Sequence, residues 1–365
     1  MHTDSFFQCT PINMATFNDL PLEMVQAIVD CCEPYRDILC ALCLTSKELN
    51  RLATPVLYSL SNKFFSGQSY PELSFPAKWW LFTRTLIQRP DLAEYLTHLY
   101  FPSNASWKTP PDDDCPPEVI AHHRQRHKLY LEAIADDRYS GFERGPGFHQ
   151  ELAGDNKPLD LLLSLCPKLE LLDATIDRDV AFRPFTPGLF CSLKSAAFSH
   201  RGTRYGMDLG VLEPLFIAAP NLEKLTFHRC GDGARGPSMH GTKLRKVKSV
   251  HFYWSSIPDG SLEYILAMCP NLEELSYEHS GDPVGNDYFS PREAQNLILE
   301  HSHRLREFFW QILDPNLNNW DEEETQVEEL TEAMEKRGVK FTFARGPLDR
   351  EILIPHKYDD ADWKL

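Results

Sequence analysis

Asn271-Leu272-Glu273-Glu274-Leu275-Ser276-Tyr277 repeats, almost letter for letter, the earlier stretch Asn221-Leu222-Glu223-Lys224-Leu225-Thr226-Phe227. The shared pattern is an apolar residue, a second three positions on and a third two further. It begins at Leu169, Leu193, Leu222, Val247, Leu272 and Leu305, with spacings of 24, 29, 25, 25 and 33 residues. A period of roughly 20 to 29 residues, each unit carrying one short strand, is the signature of a stacked coil. Earlier, Leu96, Leu99 and Phe101 offer a further strand, and Val339, Phe341 and Phe343 offer a late one that closes the stack as a cap.

The segments returning to each strand fit this arrangement. Leu159, Leu162, Leu163 and Cys166 lie at i, i+3, i+4 and i+7, as do Leu212, Leu215, Phe216 and Ala219, and Leu262, Ile265, Leu266 and Cys269. Each set is one stripe of an amphipathic helix. A fourth segment, Ala294, Leu297 and Ile298, is shorter because polar His301 takes its last position. Pro167, Pro220 and Pro270 follow the first three, where a missing amide and a fixed φ end the helix. A helix, a proline stop and a leucine-anchored strand form one leucine-rich-repeat unit, which buries its apolar face only by stacking on its neighbours. The expected fold is an α/β solenoid of irregular leucine-rich repeats, parallel strands plus helices, spanning residues 158–365.

Ahead of it stands a helical module. Phe17-Asn18-Asp19-Leu20-Pro21-Leu22-Glu23 places a proline at the start of a helix whose stripe is Leu22, Val25, Ile28, Val29 and Cys32, ended by Pro34. An apolar run from Ile38 to Leu44 follows. Thr45-Ser46-Lys47-Glu48 then reads as a capping box with Thr45 as cap, opening a third helix on Leu49, Leu52, Ala53 and Val56. Pro55 kinks that helix or ends it near Ala53. Residues 1–62 form this three-helix module, 63–101 a helical linker and the first strand, and 102–157 an insertion. The insertion opens on Pro110-Pro111-Asp112-Asp113-Asp114-Cys115-Pro116-Pro117, a loop, and turns helical over Val119 to Asp136. Such insertions often carry binding, and a decoration without a ligand is the equal alternative.

Leu20-Pro21-Leu22-Glu23-Met24 with Ile28, then Leu42-Cys43-Leu44-Thr45-Ser46-Lys47-Glu48-Leu49-Asn50, then Leu52-Ala53-Thr54-Pro55-Val56-Leu57-Tyr58, resemble the F-box in the form common in fungal proteins. The resemblance covers about Phe17 to Leu60. The Cys31-Cys32-Glu33-Pro34 stretch departs from the family's pattern and leaves the length of the first helix open. The resemblance implies an all-α F-box that docks a Skp-type adaptor and, through it, a cullin-RING ubiquitin ligase. The chain would then be the ligase's non-catalytic substrate-recognition subunit, with its repeats binding a target protein. Leu20, Pro21, Met24, Ile28, Leu42, Leu44, Leu49 and Leu57 are the implied adaptor contacts. Chemistry agrees with docking, since a helical unit of about 45 residues has a marginal core and often leans on a partner. The alternative is a ligase-independent leucine-rich-repeat scaffold.

Strand side chains alternate, so inward Leu225 and Phe227 leave Lys224, Thr226 and His228 on the concave face. The same register exposes Asp173, His251, Tyr253, Glu274, Glu278 and Phe309 as target-binding candidates, with Ser195, Ser249, Ser276 and Glu307 between them. A register slip by one residue would bury them all. The mixture of rings and charges suits a protein or peptide ligand better than one small molecule, with an ordinary solvated face as the alternative. Lys243, Arg245, Lys246 and Lys248 form a basic cluster able to meet an acidic or phosphorylated segment, or simply a solvated surface.

At 365 residues, 42% hydrophobic and a formal net charge of -16, the chain has material for a solenoid core and repels nucleic acid on balance. Ten cysteines without framework spacing, several at core positions such as Cys32, Cys166 and Cys269, indicate a reducing compartment, cytoplasmic or nuclear. No run of about 18 apolar residues spans a membrane, and no membrane partner is expected. The first residues lack the basic start and apolar stretch of a signal peptide. The Asn104-Ala105-Ser106 sequon is then idle.

Gly231-Asp232-Gly233-Ala234-Arg235-Gly236 matches the dinucleotide fingerprint, but Pro237-Ser238-Met239-His240-Gly241 follows where a helix must open. Cys40 and Cys43 have no second pair at zinc-ribbon distance. His123 and His127 flank Arg124-Gln125-Arg126, without the glutamate a zinc protease uses. No serine-nucleophile, phosphate-loop or calcium-loop motif occurs. Neither cofactor nor metal is expected.

Overall fold

A computed structural model describes residues 20–59, 75–101, 128, 132, 157–176, 182, 184–200, 209–230, 242–279, 290–312 and 320–345. The chain divides into two compact units, Met1–Ser59 and Leu60–Leu365. Most of the 102–157 insertion, the glycine-rich 231–236 stretch and both His123 and His127 lie outside the described residues.

In the first unit, α1 spans Leu22–Cys31, α2 Arg36–Thr45 and α3 Lys47–Tyr58. Pro21 has no amide to leave unpaired, and its carbonyl opens α1 by accepting from the amides of Met24 at 3.0 Å and Val25 at 3.1 Å. The cap of α3 is one residue later than the capping box predicts. Ser46 is the N-cap, its hydroxyl accepting from the Leu49 amide at 3.2 Å, while the Thr45 hydroxyl donates back to the Ala41 carbonyl at 2.8 Å. Thr45 is still the last helical residue of α2, so its side chain is committed to the preceding turn. Nor does α3 stop near Ala53: it continues through Pro55 to Tyr58. The core is small, made of Val25, Val29, Leu39, Leu49, Leu52, Ala53 and Leu57. Cys32, expected in it, is only half-buried, one residue past the end of α1.

In the second unit, α4 (Phe75–Gln88) and α5 (Pro90–Ala93) lead to β1 (His98–Phe101). Then come α6 (Lys157–Leu165), β2 (Leu171–Ile176), β3 (Ser195–His200), a 3-10 turn at Leu209–Leu212 running into α7 (Glu213–Ala218), and β4 (Lys224–His228). They are followed by β5 (Ser249–Ser255), α8 (Asp259–Met268), β6 (Glu274–His279), α9 (Pro291–His301), β7 (Glu307–Ile312), α10 (Trp320–Lys336) and β8 (Lys340–Arg345). The strands form one eight-stranded sheet in strict chain order, every pair parallel. Sequential parallel order is the topology of an α/β solenoid-like coil, because each strand can lie beside its predecessor only after the chain has made a complete turn.

The register aligns the six copies of the repeated phrase. Leu172, Ala196, Leu225, Val250, Leu275 and Phe308 form one row, and Ala174, Phe198, Phe227, Phe252, Tyr277 and Trp310 another. All are buried, as are the six residues that start each phrase. Rings in the second row touch from strand to strand. Phe198 stacks on Phe227 at 6.1 Å, Phe227 on Phe252 at 5.0 Å, and Tyr277 meets Trp310 edge-on at 6.0 Å. Helix α7 closes over this row through Phe216, which meets Phe198 edge-on at 6.4 Å. The three proline-stopped helices end at Leu165, Ala218 and Met268, just ahead of Pro167, Pro220 and Pro270.

Two side-chain devices hold successive turns. Asn221 Nδ2 donates to the Cys191 carbonyl and Asn271 Nδ2 to the Arg245 carbonyl, each at 2.7 Å. Donors and acceptors occupy equivalent places in their phrases, one and two residues before the first apolar position. One residue after that position the sign of charge alternates through Glu170, Lys194, Glu223, Lys248, Glu273 and Arg306. Backbone bonds stack these residues, for example Glu273 N to Lys248 O at 2.8 Å and Arg306 N to Glu273 O at 2.8 Å. A slip along the column would set like charges together.

Candidate functional site

Two surfaces merit separate description, one in each unit. In the first, the helices carry more apolar side chains than their core takes in. Among the described residues nine large apolar side chains are exposed, and six of them, Leu22, Met24, Ile28, Tyr35, Ile38 and Leu44, fall within this small unit. Leu44 is 89% exposed and Tyr35 59%. Exposed apolar side chains gathered on that scale are typical of interaction surfaces.

The eight implied adaptor contacts are divided by the fold. Pro21, Met24, Ile28 and Leu44 are exposed, Leu20 and Leu42 are half-buried, and Leu49 and Leu57 are buried inside the unit, where they form its core. Tyr35 and Ile38 were not singled out by sequence reasoning. Their signal is a second apolar stripe beside buried Leu39, since Tyr35, Ile38 and Leu42 stand at i, i+3 and i+7.

In the second unit the face of the sheet opposite the buried rows carries all seven target-binding candidates. Asp173 lies on β2, His228 on β4, His251 and Tyr253 on β5, Glu274 and Glu278 on β6 and Phe309 on β7. Each alternates along its strand with buried residues, except that Tyr253 is followed by half-buried Trp254. Asp173, Ala197, Thr226, His251, Ser276 and Phe309 form one transverse row, so Asp173 stands three strands from His251.

The densest part is at β4 and β5. Tyr253 stacks on His228 at 5.0 Å and on His251 at 5.9 Å, the latter pair with planes only 3° apart. Ser249 Oγ and His251 Nε2 are 2.6 Å apart. Burial, with the neighbouring Arg229 charge adding to it, lowers the His228 pKa to about 4, so the ring is neutral at neutral pH. Burial raises the Tyr253 phenol, and the Glu278 carboxylate pushes it the same way.

A β-bulge sits at this place. Register runs evenly to Phe252 opposite Tyr277 and resumes with Ser255 opposite His279, so Tyr253 and Trp254 together face Glu278. Trp254 takes a left-handed conformation with φ 47°, as does Arg229 at the end of β4 with φ 53°. Neither residue is a glycine, and such conformations persist only where their surroundings enforce them. Here the Arg229 amide donates to the Tyr253 carbonyl at 2.9 Å and its guanidinium lies over the Trp254 ring, 5.7 Å from the centroid. The Cys230 amide donates to Ser255 Oγ at 3.1 Å. Sequence periodicity could not anticipate the bulge, which adds one residue without disturbing the apolar spacing upstream.

Internal partners divide the basic cluster. Lys243 Nζ donates to the Ala267 carbonyl in the last turn of α8 at 2.6 Å, and Lys248 pairs with Glu273 at 3.4 Å. Arg245 and Lys246 are exposed. Cys40 and Cys43 share α2, where burial raises the Cys43 thiol and its sulfur lies 3.8 Å from Thr54 Oγ1. Buried Cys166 and Cys230 are pushed well above the usual thiol range, and Cys269 up to about 12. These three remain protonated and behave as small apolar residues. Among the described residues no three His, Cys, Asp or Glu side chains gather as metal ligands, and no helix is long and apolar enough to cross a membrane. The chain matches no protein-family model and no curated protein.

Proposed function

We propose that this protein is a substrate receptor of the F-box and leucine-rich-repeat kind. Its helical unit docks a Skp-type adaptor, and the open face of its solenoid holds a target protein within reach of a cullin-RING ubiquitin ligase. Catalysis belongs to the partners, and the chain's contribution is proximity.

The observation that supports this reading best is the outward apolar stripe of the first unit. Among the described residues of this unit a core of seven apolar residues sits beside six exposed ones, a ratio that suits half of an interface better than a free-standing domain. The second unit adds a continuous, ring-bearing strand face, the kind of surface stacked repeats present to other proteins. The helical unit with the adaptor, and the repeats with the target, then act as two grips joined in one chain.

Co-expression with a Skp-type adaptor tests it. The full chain is expected to co-elute with the adaptor as a complex that supports ubiquitin transfer once the cullin-RING components are added. A monodisperse full-length chain that ignores the adaptor defeats the reading. Adaptor binding without any ubiquitin transfer would instead leave a ligase-independent scaffold.

A further inference from the structure

Strand β6 lies between two walls of rings. On one side His251 and Tyr253 rise from β5, their planes parallel, and on the other Phe309 rises from β7. The floor between them is Ser276, the residue directly opposite both His251 and Phe309. Two inter-strand spacings separate the walls, roughly 10 Å, room for one side chain. Glu274 and Glu278 flank Ser276 along the same strand, each about 7 Å away. The result is a trough with aromatic sides and a carboxylate at either end.

From this geometry we infer that the trough formed by β5, β6 and β7 takes an arginine or lysine side chain from an extended basic segment of a target protein. The inference rests on the receptor reading only in taking this face as the target surface. Carboxylates neutralise the charged head while ring faces cover the aliphatic stem and attract the cation through their quadrupoles. Charge on the face points the same way. Asp173, Glu274, Glu278 and Glu307 outnumber Lys224 and Lys340, and Lys340 is held by Glu307 at 3.5 Å. Among the described residues Glu274, which is exposed, has no ion-pair partner. The bulge contributes as well, because the extra residue in β5 places both Tyr253 and Trp254 opposite Glu278.

Short labelled peptides of alternating Gly-Arg, Gly-Lys and Gly-Glu serve as probes for fluorescence anisotropy on the full chain. The basic peptides are expected to bind, more weakly as salt rises, and the acidic one not to bind. The double variant Glu274→Gln/Glu278→Gln is expected to weaken basic-peptide binding about tenfold, and Phe309→Ala by a similar factor. The variant Glu328→Gln/Glu335→Gln removes the same charge from exposed positions on α10 and is expected to leave binding unchanged. Equal losses from the two double variants would reduce the effect to general attraction by an acidic chain and overturn the proposal. So would equal binding of the acidic peptide, or no binding of the basic ones. Adaptor co-elution, measured on the same preparations, reports on the receptor reading independently, because no variant touches the first unit.

Discussion

Phe227 and Phe252 stack face to face across β4 and β5, with ring centroids 5.0 Å apart and planes 18° from parallel. Both are wholly buried and lie at the centre of a row of rings running from Phe198 to Trp310. Truncating either leaves a cavity that two stacked turns cannot close, because their backbones are pinned by the sheet on both sides. Phe252→Ala is expected to cost about 3–5 kcal/mol by urea denaturation. Tyr253→Ala, one residue on but on the open face, is expected to cost far less. Equal costs would mean that the two faces of β5 are wrongly assigned.

Glu273 is held by two cations on adjacent turns, Lys248 at 3.4 Å and Arg306 at 3.4 Å, and its side chain is only 25% exposed. Surface pairs of this kind contribute about 0.2–1 kcal/mol each, so Glu273→Gln, which breaks both, is expected to cost about 1 kcal/mol. Reversal to Glu273→Lys stacks three positive charges and is expected to cost more, about 1–2 kcal/mol, recovering in part at high salt. A reversal without salt dependence would show that the alternating column contributes nothing to the order of the stack.

Acid sensitivity follows from His228. Its folded pKa is about 4, below the usual 6.5 of the unfolded chain, so the unfolded state takes up the proton first as pH falls. The stability this group supplies is whole above pH 6.5 and declines steadily between 6.5 and 4. The loss approaches about 3 kcal/mol at the lower limit. His228→Gln is expected to flatten that segment of the stability curve, whatever it does to stability at pH 7. Stability that fell equally steeply in both proteins would assign the acid response to other groups.

Six phrases in the sequence carried the stack, because burial requires the same apolar spacing in every turn. All eighteen of their anchoring residues are buried, and the outer strands at Leu99 and Phe341 took the expected places in the ladder. Helix α10 escaped notice, although Val327, Leu330 and Met334 are buried at helical spacing, since its many glutamates lower the average apolarity of that segment. The open face was legible from alternation alone. What alternation could not supply was how its rings meet. His228, His251 and Tyr253 converge through parallel pairing and a bulge, and neither leaves a trace in spacing. In the helical unit Leu49 and Leu57 matched an interface pattern yet lie in the core, because one apolar letter serves a helix equally well on either side.

That last ambiguity yields a decisive pair of substitutions. Leu44 is 89% exposed and Leu49 is 9% exposed, five residues apart at the junction of α2 and α3. Leu44→Asp adds a charge where water already reaches the side chain, so the unit is expected to keep its helicity and lose the adaptor. Leu49→Asp forces a carboxylate into the buried core of the unit, and burying an unpaired charge costs several kcal/mol, more than so small a core supplies. Helicity and adaptor binding are then expected to disappear together. Circular dichroism and co-elution, measured on both variants, separate the two effects. If Leu44→Asp retained the adaptor at full strength, docking would have to use another surface of the unit.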